Sequence, residues 1–317
     1  MNVLNKIKKF PFVLAPLAGY TNYPFRLICR QYGASLVFTE MVSIYTITKK
    51  NLIKKNSHFF YFSKKEKPIA LQLFGNNPDL FYEAAKIGQE MGYDIIDINM
   101  GCPVRKVVRT GAGANLLDNL QLAEKIVKNT VKAVKIPVSI KIRIGPTEKK
   151  NVYLDFNKMA EDNGVKIIIL HARTRTQGFS GYADWKHIEN LKKKSRLFII
   201  GNGDAKDRNS ALKMQKETGC DAVMIGRAAI GNPFIFKEIK NKNYHPDLKE
   251  KIETALKHFE LFYDFARKRA IFEMRKFFGK YLSDFPYAAK IRKELFAIDD
   301  YEQVKDYLKE LRKTIIL

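Results

Sequence analysis

Eight short apolar runs recur between residues 12 and 226, and this count constrains the fold more than any other feature of the chain. They occupy residues 12–16, 36–40, 69–73, 95–99, 138–142, 167–171, 197–201 and 222–226. Each is about the length of one strand and rich in Ile, Val and Leu, as buried parallel strands are. Most are separated by stretches with apolar residues at three- and four-residue spacing, such as 78–91, 119–134 and 155–163, which predicts helices. Strand and helix alternating to a count of eight predicts an α/β chain folded as a (β/α)8 TIM barrel. A doubly wound open sheet uses the same alternation and is the structural alternative.

The residues that stop these runs are mostly polar or conformationally special: Pro16, Glu40, Gln72, Asn99, Lys141, His171, Asn202 and the pair Gly226-Arg227. In a barrel they gather on one rim and line one pocket. Lys141 is the most telling, because a cation ending an apolar strand is costly unless an anion or an electron-rich ring receives it. Gly201-Asn-Gly-Asp204 and Gly226-Arg227, followed by a short helical segment at 228–230, suit a phosphate: glycines let backbone N–H groups approach it, and Arg227 supplies a forked counter-charge. Tight turns without a ligand would use the same glycines.

Directly after the fourth run comes Asn99-Met-Gly-Cys-Pro-Val-Arg-Lys, then Gly111-Ala-Gly113. It combines a thiol, a Pro turn, cations and a Gly-rich hinge. A lone Cys is often a small apolar filler, but the polar flanks, Arg105 and Lys106 among them, place Cys102 at a rim instead. The three cysteines, Cys29, Cys102 and Cys220, are too scattered for a disulfide framework or a zinc site and read as reduced thiols. No metal site is expected.

After residue 236 the alternation stops. Residues 248–268, 270–282, 286–297 and 300–313 carry amphipathic helical patterns, which divides the chain into a barrel, 1–240, and a small helical bundle, 241–317. The formal net charge of +24 points to a polyanionic partner or to a biased genome. Most of the excess precedes Tyr244, yet the tail holds a local cluster from Arg267 to Lys293 that includes Arg275, Lys276 and Arg292. The N-terminal ten residues lack a secretory pattern and no run is long enough to span a bilayer, so a soluble, cytoplasmic protein is expected.

Asn-x-Gly-Cys-Pro-x-x-Lys-Val at 99–107 with Gly-Ala-Gly-x-x-Leu-Leu at 111–117 resembles the active-site loop of the tRNA-dihydrouridine synthases. The resemblance spans nearly the whole chain. It includes Ala15-Pro-Leu-Ala-Gly-Tyr-Thr-Asn-Tyr-Pro-Phe-Arg26, Lys-x-Arg-x-Gly at 141–145, the run from His171 to Trp185, Gly201-Asn-Gly-Asp204 and the run from Val223 to Phe234. In the tail, Met274-Arg-Lys-Phe-Phe-Gly-Lys-Tyr281 and Ala289-Lys-Ile-Arg292 match as well. Asn22, where the opening motif usually has Asp, and Ala205, where a branched aliphatic is common, depart from the pattern.

The resemblance implies reduction of the uracil C5=C6 bond in tRNA D-loops by an FMN enzyme recharged by NADPH or NADH. It implies cofactor contacts at Pro16, Leu17, Ala18, Gln72, Lys141, His171, Asn202, Gly203, Asp204, Gly226 and Arg227. Cys102 becomes the acid that protonates C5 while the flavin supplies a hydride to C6. Asn99, Arg105, Lys106, Arg173, Arg175 and Tyr182 become candidates for base and backbone contacts, with Arg275, Lys276 and Arg292 of an RNA-gripping tail. Arg105 and Lys106 are expected to face RNA phosphate, since cations beside the sulfur would favour thiolate. Two competing readings are an FMN barrel acting on free dihydroorotate or dihydropyrimidines and a non-enzymatic RNA-binding protein on a decayed barrel.

Overall fold

The computed structural model describes residues 3–314, so the last three residues assigned to the helical tail lie outside the described residues. The strands are β1 (Phe12–Leu14), β2 (Val37–Phe38), β3 (Val42–Ser43), β4 (Ile69–Phe74), β5 (Ile95–Met100), β6 (Val138–Arg143), β7 (Ile167–His171), β8 (Phe198–Asn202) and β9 (Ala222–Ile225). They pair in parallel in the order β1-β9-β8-β7-β6-β5-β4-β2, and β3 continues the line of β2 along β4. The ring closes between β1 and β2, where the Leu14 N–H donates to the Leu36 carbonyl and the Ser35 N–H to the Phe12 carbonyl, both at 2.9 Å. This is an eight-fold barrel, not an open sheet. β1 ends two residues before Pro16, whose ring carries no N–H for a ladder.

Outside the ring run α2 (Tyr23–Gln31), α3 (Pro78–Glu90), α4 (Leu120–Ala133), α5 (Tyr153–Asp162), α6 (Lys186–Lys194), α7 (Arg208–Thr218) and α8 (Ile235–Lys240), after an opening α1 (Val3–Lys9). Their starts are capped by local chemistry: the Asn22 carbonyl accepts from the Phe25 N–H, and Asn77, followed by Pro78, accepts from the N–H groups of Asp79 and Leu80. Asn22 thus does here what an Asp would do. Between β3 and β4 three short helices, Ile44–Ile47, Lys50–Lys55 and Ser57–Phe60, replace the single long one.

Alternation along the strands sorts their side chains into two sets. Ile96, Ile98, Ile140, Ile142, Ile168 and Leu170 face the helices. Val13, Leu36, Phe38, Ile95, Ile167, Ile169, Phe198, Ile200 and Met224 fill the lower barrel interior, which Ile7 of α1 joins. Further along the same inward-facing rows stand Gln72, Asp97, Asn99, Ser139, Lys141, Arg143, His171 and Asn202.

The tail consists of α9 (Leu248–Ala266), α10 (Arg269–Tyr281), α11 (Ala288–Ala297) and α12 (Tyr301–Thr314). It shares one apolar cluster with the barrel's outer layer. His258 of α9 sits fully buried among Phe25, Phe262 and Phe277, and its Nδ1 lies 3.3 Å from the Tyr281 hydroxyl. Burial drives its pKa down to about 3, so the imidazole is a neutral packing element. Gly231 lets the tail and the last barrel loop approach closely. With φ of +63°, it would place a Cβ 2.4 Å from that of Lys280 and 2.9 Å from the Phe277 carbonyl oxygen.

Candidate active site

At the C-terminal end of the strands a cavity of about 900 Å³ opens between the loops. Its wall contains Pro16, Leu17 and Ala18 after β1, Gln72 of β4, Asn99 and Cys102 at the end of β5, Lys141 and Arg143 of β6, and His171 of β7. Asn202, Gly203 and Asp204 after β8 and Gly226 and Arg227 after β9 complete it. The rim residues expected to meet a cofactor therefore share one cavity with the thiol, because eight parallel strands end at the same level.

A chain of hydrogen bonds runs beneath this floor. Ser139 Oγ donates to Asp97 Oδ1 at 2.5 Å, and Gln72 Nε2 donates to Asp97 Oδ2 at 2.7 Å. With its amide nitrogen so engaged, Gln72 offers its carbonyl to Asn99 Nδ2 at 2.8 Å. Asn99 Oδ1 then accepts the N–H groups of Gly101 and Cys102, at 3.1 and 2.9 Å. Both ends of the chain are chemically unambiguous, a carboxylate at one and backbone donors at the other, so the amide orientations between them follow. Asn99 is thus held as a support of the Cys102 loop, with its side-chain carbonyl turned to that loop.

The electrostatics are those of a cationic, half-enclosed site. Burial lowers the Lys141 pKa to about 8, and nearby Arg143 pushes the same way against Asp97. Burial raises Asp97 to about 6 despite its hydrogen bonds to Gln72 and Ser139. His171 is driven well below its usual value by burial and by Lys141, Arg143, Arg173 and Arg227, so it is neutral. Burial also raises the Cys102 thiol, while the Val104 N–H, Arg143 and Lys141 pull it partly back. The thiol therefore holds its proton at neutral pH, as a proton donor must. The cations that act on it come from β6. Arg105 and Lys106 stand exposed on the turn Arg105–Val108 and are not among the groups shifting it.

Three expected substrate contacts have other partners. Arg173, only 2% exposed, pairs with Asp204 at 2.8 Å and donates to the carbonyls of Ser180 and Gly181. It buttresses the loop after β7 instead of reaching outward, and Asp204 is spent on it and on the Ala183 N–H. Arg175 pairs with Asp118 and donates to the Ala114 carbonyl, closing that loop onto the Gly-rich hinge. Lys276 donates to the Gly19 carbonyl. Tyr182, 83% exposed, lies outside the cavity wall. Arg275 stacks its guanidinium over Phe272 at 4.9 Å, and Arg292 is half-buried in α11.

Several residues escaped the sequence reading. Arg143 and Asp97 had a signal, since each sits two positions from a recognised inward residue on its own strand. Phe179 had none. Its ring lies in a Gly-flanked loop, 57% exposed, with the guanidinium groups of Arg143 and Arg227 at 5.5 and 5.1 Å. Met41, Tyr20 and, from the tail, Lys280 also line the cavity.

Two polar atoms report what this cavity fits. His171 Nδ1 and Arg173 Nη1 are buried without a hydrogen-bond partner among the described residues, a state that native sites rarely leave unanswered. Lys141, Arg143, Arg227, Lys206 and Lys280 add unbalanced positive charge around the same space. An anionic ligand with a large flat body, such as a flavin mononucleotide, suits that donor set.

Comparison with known proteins identifies the family and the fold. A family model described as "Dihydrouridine synthase (Dus)" matches residues 13–316. The probable tRNA-dihydrouridine synthase of Aquifex aeolicus is 36% identical over 316 residues, covering 98% of each chain. Probable tRNA-dihydrouridine synthase 1 of Synechocystis sp. is 35% identical over 95% of this chain and 86% of that protein. tRNA-dihydrouridine synthase B of Pasteurella multocida is 38% identical over 80% and 77%. Among solved structures, histamine dehydrogenase from Rhizobium sp. 4-9 superposes with a TM-score of 0.57 at 14% identity, covering 79% of this chain and 49% of that one. A 2-naphthoyl-CoA reductase complex gives a TM-score of 0.58 at 11% identity, covering 73% and 50%. The chain spans about half the length of these two structures, and the likeness is one of fold. With the family match running through barrel and tail alike, the chain belongs to the dihydrouridine synthase family.

Proposed function

We propose that this chain reduces the C5=C6 bond of uridines in the D-loop of tRNA to 5,6-dihydrouridine, with bound FMN as cofactor and NADPH or NADH as reductant. The observation that carries the reading is the joint placement, in one rim cavity, of a protonated, half-buried thiol, an excess of cationic side chains and two unpartnered nitrogens, His171 Nδ1 and Arg173 Nη1. Gln72, Lys141 and His171 would hold the flavin ring, Pro16, Leu17 and Ala18 its edge, and Asn202, Gly203, Gly226 and Arg227 its phosphate. Once reduced by NADPH or NADH, the bound FMN would supply the hydride that C6 receives.

Every other part falls to the chain itself. Cys102 holds the proton for C5 on Sγ, and Lys141 and Arg143 stabilise the thiolate that remains. The Asn99 carbonyl fixes the Cys102 loop through its two N–H bonds. Lys141 keeps its charge for the anionic side of the ring, and neutral His171 offers a donor without adding charge. Arg105, Lys106, Tyr182, Arg275 and Arg292, with the helices of the tail, would meet the RNA backbone, and bringing a uracil into the cavity requires it to leave its stack. A cytoplasmic location fits this substrate, and among the described residues no helix is long and apolar enough to cross a membrane.

The experiment replaces Cys102 by Ala. The variant is expected to bind FMN and oxidise NADPH as before while tRNA reduction falls by about 10²–10⁴-fold. Equal losses in both half-reactions, or reduction of free uracil or orotate at the tRNA rate, would remove the reading.

A further inference from the structure

Glu40 ends the second strand candidate and has no part in the chemistry above, and Lys276 has left the role expected of it. Both meet at Gly19. The Gly19 N–H donates to the Glu40 carboxylate, and the Gly19 carbonyl accepts from Lys276 Nζ of α10. The same ammonium lies 5.1 Å from the centre of the Tyr20 ring, and Tyr20 meets Phe277 edge-on at 5.7 Å. On the opposite flank, α10 packs against Gly231 with no room for a Cβ. Helix α10 therefore bears at once on the loop after β1 and on the loop after β9, and it sends Lys280 to the cavity wall between them.

We propose that Lys276 and Glu40 form a clip that positions the 16–19 loop, making α10 a structural part of the cofactor site and not only a surface for RNA. The inference rests on the flavin reading above. Lys276 is a positioning residue: it acts through Gly19, and its ammonium is engaged by that carbonyl and by Glu273 at 3.5 Å. A loop whose donor and acceptor are both held is organised before the ligand arrives, which raises affinity by lowering the ordering cost. Because coupling between sites is reciprocal, RNA engaging α10 changes flavin affinity by the same factor that flavin changes RNA affinity.

The test compares Lys276→Met, which keeps the apolar stem against Tyr20 and Phe277, with Lys276→Arg, which keeps a donor. In the flavin-free full-length chain, amide hydrogen exchange across residues 16–21 is expected to quicken about tenfold in Lys276→Met and to stay near the parent in Lys276→Arg. FMN affinity, read by quenching of its fluorescence, is expected to weaken about three- to tenfold in the Met variant. The log-log salt slope of tRNA affinity is expected to stay unchanged. A slope shallower by about 0.7–0.9, the signature of one lost phosphate contact, returns Lys276 to the RNA and overturns the clip. Unaltered exchange at 16–21 overturns it too. A parent chain that takes up no FMN refutes the proposed function instead, and the exchange measurement still decides the clip.

Discussion

The floor and the rim of the barrel interior are built from the same strands and differ in what those strands turn inward. β7 offers Ile167 and Ile169 below and His171 above; β8 offers Phe198 and Ile200 below and Asn202 above; β5 passes from Ile95 to Asp97 and Asn99. The inward-facing rows continue unbroken, yet the chemistry changes midway. Below the change, apolar packing holds the strands together. Above it, groups are kept that folding alone would not select: a carboxylate raised to about 6 and an ammonium lowered to about 8. The lower half carries the stability that lets the upper half be costly.

Truncation at each level breaks this contrast most sharply. Ile169→Ala on the floor is expected to destabilise the fold by about 2–5 kcal/mol while leaving FMN affinity at low temperature unchanged, as urea melts and FMN titrations together would report. Lys141→Met on the rim is expected to do the reverse. Its depressed pKa means that the unfolded chain binds the proton more tightly than the folded one. Stability of the flavin-free protein is therefore lowest below pH 8 and rises from there toward the ordinary lysine value near 10.4. Removing the ammonium at pH 7 relieves that deficit, so the Tm of the flavin-free variant is expected to rise by about 1–3 °C as FMN affinity falls about tenfold or more. A Lys141→Met protein that melts lower and still binds FMN normally would erase the distinction between the two levels.

A gentler probe leaves the residues in place and moves the pH. An anion bound beside Lys141 raises the lysine's pKa, so binding takes up a proton once the free protein has lost it. FMN affinity is expected to be level up to about pH 8, where free Lys141 titrates, and to fall by up to about tenfold per pH unit above it. Lys141→Met should flatten the profile. An affinity that stays constant from pH 7 to 9.5 in the parent would show that this ammonium does not face the ligand's charge.

The same contrast explains what could be read from the chain beforehand. Two-residue periodicity exposes the inward rows, so Gln72, Asn99, Lys141, His171 and Asn202 were legible as rim residues, and the count of eight runs made the barrel legible as a whole. What escaped depends on partners distant in sequence. Arg173 looked like an outward cation, but Asp204 neutralises it across the gap between β7 and β8. Arg175 looked alike, but Asp118 of a different loop claims it. Lys276 sits in a basic cluster, and only the fold reveals the Gly19 carbonyl waiting for it. A charged side chain in a loop carries no periodicity that states where its opposite charge will lie.

The smallest expected effect isolates one link of the rim. Asp97→Asn removes a charge but little volume, and the hydrogen-bond chain has a way to survive it. The new carbonyl can accept from Gln72 Nε2, while the new amide donates to the Ser139 hydroxyl, which accepts as readily as it donates. Gln72, Asn99 and the Cys102 loop then keep their orientations. What is lost is the negative charge that helps Lys141 stay protonated. The midpoint of the FMN affinity profile is therefore expected to move to lower pH, weakening FMN about two- to threefold at pH 8 and hardly at all at pH 6.5. A loss that is equal at both pH values would mean that the carboxylate acts through geometry, with the amide chain collapsing when it goes. A midpoint that does not move would mean that Asp97 does not sense Lys141 at all.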